Sequence, residues 1–345
     1  MEYLEIVSKD NRYVYPTGRV RGLEKYLFEK ADLARIKGAK DLRESLQDLS
    51  RFYPYSESMK VCTRPEDFEK GLEEEWRRTY QELMSFAPEP ELVNLFWLEQ
   101  DFHNLKILFK LHFQKKFFQE IDKIEYLSAS GTLDLNILGN AITKEDFLQL
   151  SPFFKNVVKQ ILGMVEKKIS SRNIDFFLDK LYFQKFFSEI ITYQDDFLTK
   201  LAMKIIDSSN IKNFLRIKLW NRKDEKELLE DFIIEAGYVK KDKIMAFAGE
   251  PPDSLLDVVK GTEYTPIVQK ALEEWKNKGS LFTLNKSLEK NIFAFTHRGF
   301  YITFGREPLI NYILLKRWEI KNLRSILRAK KANFFSGQMM DEIVG

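Results

Sequence analysis

The stretch Asp101-Phe102-His103-Asn104-Leu105-Lys106 recurs twice in the chain, and this recurrence predicts the fold. Its related copies are Asn210-Ile211-Lys212-Asn213-Phe214-Leu215 and Glu319-Ile320-Lys321-Asn322-Leu323-Arg324. The three asparagines are spaced by 109 residues in both intervals. Apolar residues extend the match without gaps, at Leu92/Leu201/Ile310, Phe96/Ile205/Leu314, Phe102/Ile211/Ile320, Leu105/Phe214/Leu323 and Leu108/Ile217/Ile326. Self-similarity at a fixed period indicates a repeated structural unit. We therefore divide the chain into three similar repeats, residues 1–123, 124–232 and 233–345.

The rest of the sequence favours an all-α fold. Long helix-compatible stretches alternate with short breaks, and the short Val/Ile-rich runs typical of an α/β chain are missing. Pro65-Glu66-Asp67 predicts the start of one helix, and Pro88-Glu89-Pro90 separates that helix from the next, which we expect to begin near Glu91. The matched apolar positions lie all around their helix, so we expect this helix to be buried on more than one side.

The three repeated asparagines predict structural contacts. A buried asparagine must satisfy two donors and an acceptor, and a backbone group at a neighbouring helix end is a ready partner. Three copies favour this interpretation, because a catalytic residue is seldom needed in every repeat. A ring of three equivalent interaction points is the alternative.

The chain is nearly balanced in charge, with 55 basic and 52 acidic residues and a net charge of +3. One segment is unbalanced: Lys316 to Lys331 contains seven basic residues and one acidic residue, Glu319. This run predicts either a solvated helix face or a surface for an acidic partner. The overall balance argues against nucleic acid as the main partner.

Motifs for catalysis and metal binding are scarce. His103 and His112 lie nine residues apart, about 13 Å along a helix axis, which is too far to share one metal ion. The single cysteine, Cys62, excludes an internal disulfide. His297 stands alone and suggests a packing or surface role. The acidic runs Glu73-Glu74-Glu75 and Asp195-Asp196 suggest solvated helix faces. We predict no catalytic residue, cofactor or metal ion.

Aromatic clusters and apolar runs bear on the surroundings of the chain. Phe113-Gln114-Lys115-Lys116-Phe117-Phe118 and Phe183-Gln184-Lys185-Phe186-Phe187 favour core packing over single-stranded nucleic-acid binding. No apolar run approaches the roughly 20 residues that span a bilayer. The opening residues Met1 to Glu5 lack the pattern of a secretory signal, so we expect a cytoplasmic protein without a membrane span.

Three motifs resemble those of the family of V/A-type ATPase C subunits, whose eukaryotic members are called d subunits. They are Tyr15-x-x-x-Arg19-Val20-Arg21-Gly22-Leu23-Glu24, the Asp101–Lys106 stretch, and Glu307-Pro308-Leu309-Ile310-x-Tyr312 through Glu319-Ile320-Lys321-Asn322-Leu323-Arg324. The resemblance implies a funnel-shaped socket of three helical units around a pseudo-threefold axis. It implies that the socket sits on the membrane proteolipid ring at the cytoplasmic face and receives the central shaft. Such a protein performs no chemistry and transmits torque during H⁺ or Na⁺ transport.

Six basic residues are our candidates for partner contact or for packing between repeats: Arg19, Arg21, Arg306, Lys321, Arg324 and Arg328. The middle repeat departs most from the others, since Leu215 replaces the basic residue found at Lys106 and Arg324. The competing interpretations are a freestanding helical-repeat adaptor, a nucleic-acid-binding protein that uses the basic C-terminal helix, and an enzyme.

Overall fold

The computed structural model describes residues 10–113, 127–167, 171–219 and 224–333, and these ranges contain helices and no strand. The all-α prediction is therefore confirmed for this part of the chain. The helices are α1 (Val14–Glu24), α2 (Lys30–Gly38), α3 (Leu42–Leu49), α4 (Tyr55–Ser58), α5 (Phe68–Met84), α6 (Pro90–Phe113), α7 (Leu135–Thr143), α8 (Pro152–Glu166), α9 (Ser171–Ile190), α10 (Asp196–Leu219), α11 (Glu225–Phe232), α12 (Lys241–Ala246), α13 (Leu255–Val258), α14 (Thr265–Lys278), α15 (Phe282–Thr296) and α16 (Arg306–Lys331). Short 3-10 helices connect several of them, among these Met59–Val61, Pro65–Asp67 and His297–Tyr301.

The chain forms two compact units. The first comprises Met1–Trp97, Ser128–Thr132 and His297–Gly345. Within it, α16 packs against α1, α2, α3 and α5. The indole rings of Trp76 and Trp97 stack with their centroids 4.1 Å apart, and both side chains are almost fully buried. Such aromatic burial removes a large apolar area from water and stabilises this core.

The second compact unit comprises Leu98–Leu127 and Leu133–Thr296. Here α10 packs against α9, α11 and α15, and α14 packs against α15. Phe176 and Phe232 stack at 5.0 Å within a continuous apolar core. Phe186, from one of the two aromatic clusters, is 1% exposed, which confirms core packing there. The side chains of Phe113, Phe117 and Phe118 lie outside the described residues, as do Met1 to Glu5.

The proline-marked helix starts lie where the sequence predicts them. The 3-10 helix Pro65–Asp67 leads directly into α5, and α6 begins at Pro90. A proline tolerates these positions because its missing N–H has no intrahelical partner in a first turn.

Each of the three repeated asparagines lies in a long helix, α6, α10 or α16, of 24, 24 and 26 residues. Buried residues surround the whole circumference of α10 and include Leu201, Asp207, Asn210 and Phe214. Burial on more than one side is therefore confirmed for this helix. The three repeat boundaries remain a prediction.

Within the described residues, no helix combines the length and apolarity needed to cross a membrane. The same ranges contain no group of three or more His, Cys, Asp or Glu side chains arranged to bind a metal ion.

Candidate partner interface and the polar joints of the repeats

Each long helix carries a buried acidic residue that accepts a hydrogen bond from the backbone just before a short helix. Asp101 of α6 accepts from Leu133 N–H at 3.0 Å, and Leu133 directly precedes Asp134, the N-cap of α7. Asp207 of α10 accepts from Val239 N–H at 3.1 Å, directly before Lys240, the N-cap of α12.

The third contact follows the same rule. Glu319 of α16 accepts from Phe28 N–H at 2.6 Å, directly before Glu29, the N-cap of α2. All three acidic side chains are at most 2% exposed. A buried carboxylate requires hydrogen-bond donors, so each acidic residue fixes the start of one short helix against a long helix. We call these contacts the cap joints.

Two of the cap joints have a second contact eleven residues further along the long helix. Lys330 donates to the backbone carbonyl of Ala39, the C-cap of α2. Glu319 and Lys330 are eleven residues apart, as are their partners Phe28 and Ala39. Eleven residues make about three helical turns and return to the same face. Helix α2 is therefore held at both ends by α16, and the two helices run in the same direction.

The second long helix uses the same spacing. Lys218 lies eleven residues after Asp207 and donates to the carbonyl of Ala248, just beyond α12. Burial raises the pKa of Asp207 to about 6, although the backbone N–H groups of Val239 and Tyr238 oppose this shift. A Cβ atom on Gly237 would overlap Oδ1 of Asp207, so glycine allows this close approach. Asn210 adds a two-way pairing with Ile234, donating to its carbonyl and accepting from its N–H, both at 2.8 Å.

The repeated asparagines themselves are buried, but they are not the residues that make the described cap joints. Asn104, Asn213 and Asn322 are 0%, 5% and 8% exposed. The side-chain amide nitrogen of Asn322 has no hydrogen-bond partner within the described structure. The expectation of a satisfied amide is therefore wrong for Asn322. The joint lies three residues earlier in the motif at Asp101 and Glu319, which are one helical turn away.

A buried ionic cluster surrounds Glu319. Nζ of Lys316 lies 2.7 Å from Oε1 of Glu319 and 2.9 Å from Oε1 of Glu75, and all three side chains are at most 2% exposed. The hydroxyl of Tyr55 donates to Glu319 at 2.6 Å, and Ser58 donates to Glu75 at 2.5 Å. Burial lowers the pKa of Lys316, but the two carboxylates outweigh it, so the net shift is upward. Lys316 is therefore charged within the core.

These contacts correct two expectations from the sequence. The basic run predicts a solvated face or a partner surface, yet Lys316 and Lys330 are 1% and 5% exposed. Glu75 was assigned to a solvated acidic run, yet it lies on the buried face of α5 beside Leu72 and Trp76. Helical periodicity explains both cases, because one member of a charge run can face inward. Asp196, by contrast, is 78% exposed, which confirms the expectation for that residue.

Of the six candidate residues, Arg21 and Arg306 bind within the first compact unit. Arg21 forms an ion pair with Glu24 at 2.8 Å and donates to the carbonyls of Gly299, Phe300 and Ile302. Arg306 binds Glu89 with two hydrogen bonds of 2.7 Å. This bidentate geometry is the strong form of an arginine–carboxylate pair.

Three of the other four candidates, Arg19, Lys321 and Arg328, are more exposed than Arg21 and Arg306. Arg324 is 27% exposed and binds Glu69 and Glu73, and Arg328 is 52% exposed and binds Glu69. Arg19 is 43% exposed and binds Glu82. Lys321 is exposed on α16. Arg19, Lys321 and Arg328 are therefore the candidates that a partner could reach most easily.

The sequence did not single out Glu89. Besides Arg306, it accepts from the Tyr13 hydroxyl at 2.6 Å and from Arg12 at 3.0 Å. These contacts join the starts of α1, α6 and α16. The hydrogen bonds from Arg306 outweigh burial and lower the pKa of Glu89 to about 2. The only signal in the sequence was a single carboxylate between two prolines.

Comparison with known proteins relates the whole fold to one family. Residues 16–342 match the family described as ATP synthase (C/AC39) subunit. The chain is 25% identical over 279 residues to the C subunit of the V-type sodium ATPase of Enterococcus hirae, covering 80% of this chain and 82% of the relative. It is 24% identical over 347 residues to the C subunit of the A-type ATP synthase of Methanocaldococcus jannaschii, covering 93% and 83%.

Proposed function

The chain belongs to the ATP synthase (C/AC39) subunit family, and we propose that it is the non-catalytic rotor component that couples a central shaft to a membrane proteolipid ring. In this role it transmits torque during H⁺ or Na⁺ transport, as a peripheral protein on the cytoplasmic face of the membrane. Its partners are the central-shaft subunits and the ring. The cap joints are the observation that carries this proposal.

The cap joints connect the predicted repeats in cyclic order. Asp101 in residues 1–123 binds Leu133 in residues 124–232, and Asp207 in the second repeat binds Val239 in the third. Glu319 in the third repeat then binds Phe28 in the first. A cycle of three equivalent contacts is what a closed, pseudo-threefold funnel requires. The joints therefore support the proposed socket.

Torque transmission requires a protein that resists deformation. Buried, fully paired polar groups contribute to this resistance, because moving one group leaves its partner unsatisfied at a cost of about 1–3 kcal/mol. The Lys316–Glu319–Glu75 cluster has this property. The bidentate Arg306–Glu89 pair, whose side chains are 19% and 14% exposed, adds a half-buried contact. Arg21, Arg306 and Arg324 therefore serve packing within the protein. We assign Arg19, Lys321 and Arg328 to partner contact.

Reconstitution of the ATPase complex tests the coupling role. Complexes without this protein should hydrolyse ATP but should not transport ions, because the shaft and the ring are no longer joined. Ion transport by complexes that lack this protein would contradict the proposal. Loss of ATP hydrolysis in such complexes would contradict it too, because the protein would then be needed for catalysis. Failure to co-purify with any rotor subunit would favour the freestanding adaptor.

Charge reversal tests the assignment of the interface. Lys321→Glu should keep the fold and weaken capture of the shaft or ring, since Lys321 is exposed. Arg306→Glu is the wrong variant for this purpose, because it places two carboxylates together at Glu89 and destabilises the first unit. Unchanged capture by folded Lys321→Glu, Arg19→Glu and Arg328→Glu variants would remove these residues from the interface.

A further inference from the structure

A basic groove lies on the first compact unit, apart from the cap joints and the ionic cluster. It has a volume of about 620 Å³ and is bounded by α3 on one side and by the segment from Met59 to Pro65 on the other. Its lining residues are Arg43, Leu46, Gln47, Ser50, Arg51, Met59, Cys62, Thr63, Arg64 and Pro65. This set contains three arginines and no carboxylate.

Helical spacing explains the α3 wall of the groove. Arg43, Leu46, Gln47 and Ser50 follow one another at intervals of three, one and three residues, so they share one helix face. The opposite face of α3 carries Leu42, Ser45 and Leu49, which are buried. The wall is therefore the outward face of a helix whose inward face is already packed.

The charge of the groove is only partly neutralised. Arg51 lies 2.9 Å from Asp48, and Arg64 lies 3.7 Å from Asp67, but both arginines remain largely exposed, at 66% and 74%. Arg43 is exposed and has no ion pair within the described residues. The lining also contains the apolar residues Leu46, Met59 and Pro65, which we call the floor of the groove. The groove therefore combines three guanidinium groups with apolar surface.

We propose that this groove binds an acidic, amphipathic segment of a partner protein. The carboxylates of the segment would pair with the three guanidinium groups, for which arginine is well suited. Its apolar side chains would cover the floor, as in other helix-in-groove interfaces. The apolar floor favours a protein segment over a sugar–phosphate backbone or a lipid headgroup, which need only the charges. The length of α3, about 12 Å, corresponds to two turns of a bound helix. This proposal does not depend on the rotor function.

Cys62 provides a local reporter, because it is the only cysteine in the chain and lines the groove. The experiment uses the full chain and a synthetic peptide of repeated Glu-Glu-Leu-Leu blocks, about 12 residues long, which is roughly three helical turns. Alkylation of Cys62 by iodoacetamide should slow about tenfold when the peptide is present at ten times its Kd, because occupancy follows mass action. Peptide affinity should weaken as salt concentration rises.

The variant R43E/R51E/R64E should lose this protection and bind the peptide at least about tenfold more weakly. The neutral variant R43Q/R51Q/R64Q should show a smaller loss in the same direction, and it guards against misfolding of the charge-reversed protein. The matched control K25E/K30E/K270E carries the same charge change on exposed residues outside the groove and should retain protection. Equal loss in this control, no protection of Cys62 by the peptide, or protection by phosphatidylserine vesicles in its place would overturn the proposal.

Discussion

Replacing Glu319 with alanine tests whether its cap joint and the ionic cluster stabilise the first compact unit. Oε1 of Glu319 accepts from Tyr55 and Lys316, and Oε2 accepts from Phe28 N–H. The substitution leaves the buried Tyr55 hydroxyl and the half-buried Phe28 N–H without this acceptor, at about 1–3 kcal/mol each. Lys316 keeps Glu75 at 2.9 Å, so no isolated charge results. The expected loss is about 2–6 kcal/mol, a large part of the roughly 5–15 kcal/mol that stabilises a typical domain.

The conservative variant Glu319→Gln separates shape from charge. Glutamine has nearly the same volume, but its side-chain NH2 group faces a hydrogen-bond donor where the carboxylate offered an acceptor. We therefore expect a smaller loss of unfolding free energy, about 1–3 kcal/mol. Lys321→Ala is the matched control, because Lys321 is exposed on the same helix, and its effect should stay within about 0.5 kcal/mol.

Urea unfolding followed by far-UV circular dichroism measures these differences. Hydrogen exchange at the Phe28 amide provides a local measurement, which stays informative if the two compact units unfold separately. Exchange at Phe28 should accelerate in Glu319→Ala and remain unchanged in Lys321→Ala. The reasoning is refuted if Glu319→Ala costs less than about 1 kcal/mol or if Lys321→Ala costs as much.

Three further substitutions test the other contacts. Lys330→Met should lower the free energy of unfolding by about 1–2 kcal/mol, because the carbonyl of Ala39 loses its donor. The control Lys331→Met, at an exposed position, should leave stability nearly unchanged. Equal unfolding midpoints of the two variants would contradict the contact. Gly237→Ala should lower the free energy of unfolding in urea by about 2 kcal/mol or more, because the new Cβ overlaps Asp207. The control Gly249→Ala places its Cβ in open space and should change stability by less than about 1 kcal/mol. The pKa of Asp207 rises from 3.8 to about 6 on folding, so its protonation favours the folded state below pH 3.8 and this contribution is lost as pH rises to about 6. The free energy of unfolding of the wild type, measured relative to that of Asp207→Asn, should therefore fall by up to about 3 kcal/mol as the pH rises through this window. Parallel plots of unfolding free energy against pH for the two proteins would refute this.

The sequence predicts the helices better than it predicts their polar contacts. Periodicity and proline placement indicate where α5 and α6 begin, because these signals act within a few residues of chain. The contact between Phe28 and Glu319 joins residues 291 positions apart, so no local pattern announces it. The same limit hides the burial of Lys316, since its sequence neighbours make it look like one member of a solvated basic run.

The cap joints also show why alignment of the repeats assigns the wrong residue to the joint. At a spacing of 109 residues, Asp207 aligns with Lys316, and Asn210 aligns with Glu319. In the structure Asp207 makes the same kind of cap joint as Glu319, but it lies one helical turn before the position that aligns with Glu319. Lys218 is displaced by the same three residues relative to Lys330, so the interval of eleven residues is kept.

A displacement by one turn keeps a side chain close to its original helix face, because three residues rotate it by about 60° short of a full turn. The acidic residue and the lysine can therefore slide together along α10 without losing the ends of the short helix. The aligned residues Lys316 and Asp207 therefore make different contacts. Lys316 forms an ion pair with Glu75 in the core, whereas Asp207 accepts a hydrogen bond from the backbone N–H of Val239. Equivalence between the repeats thus lies in the spacing of paired contacts, and the middle repeat departs from its neighbours by the register of those contacts along its helix.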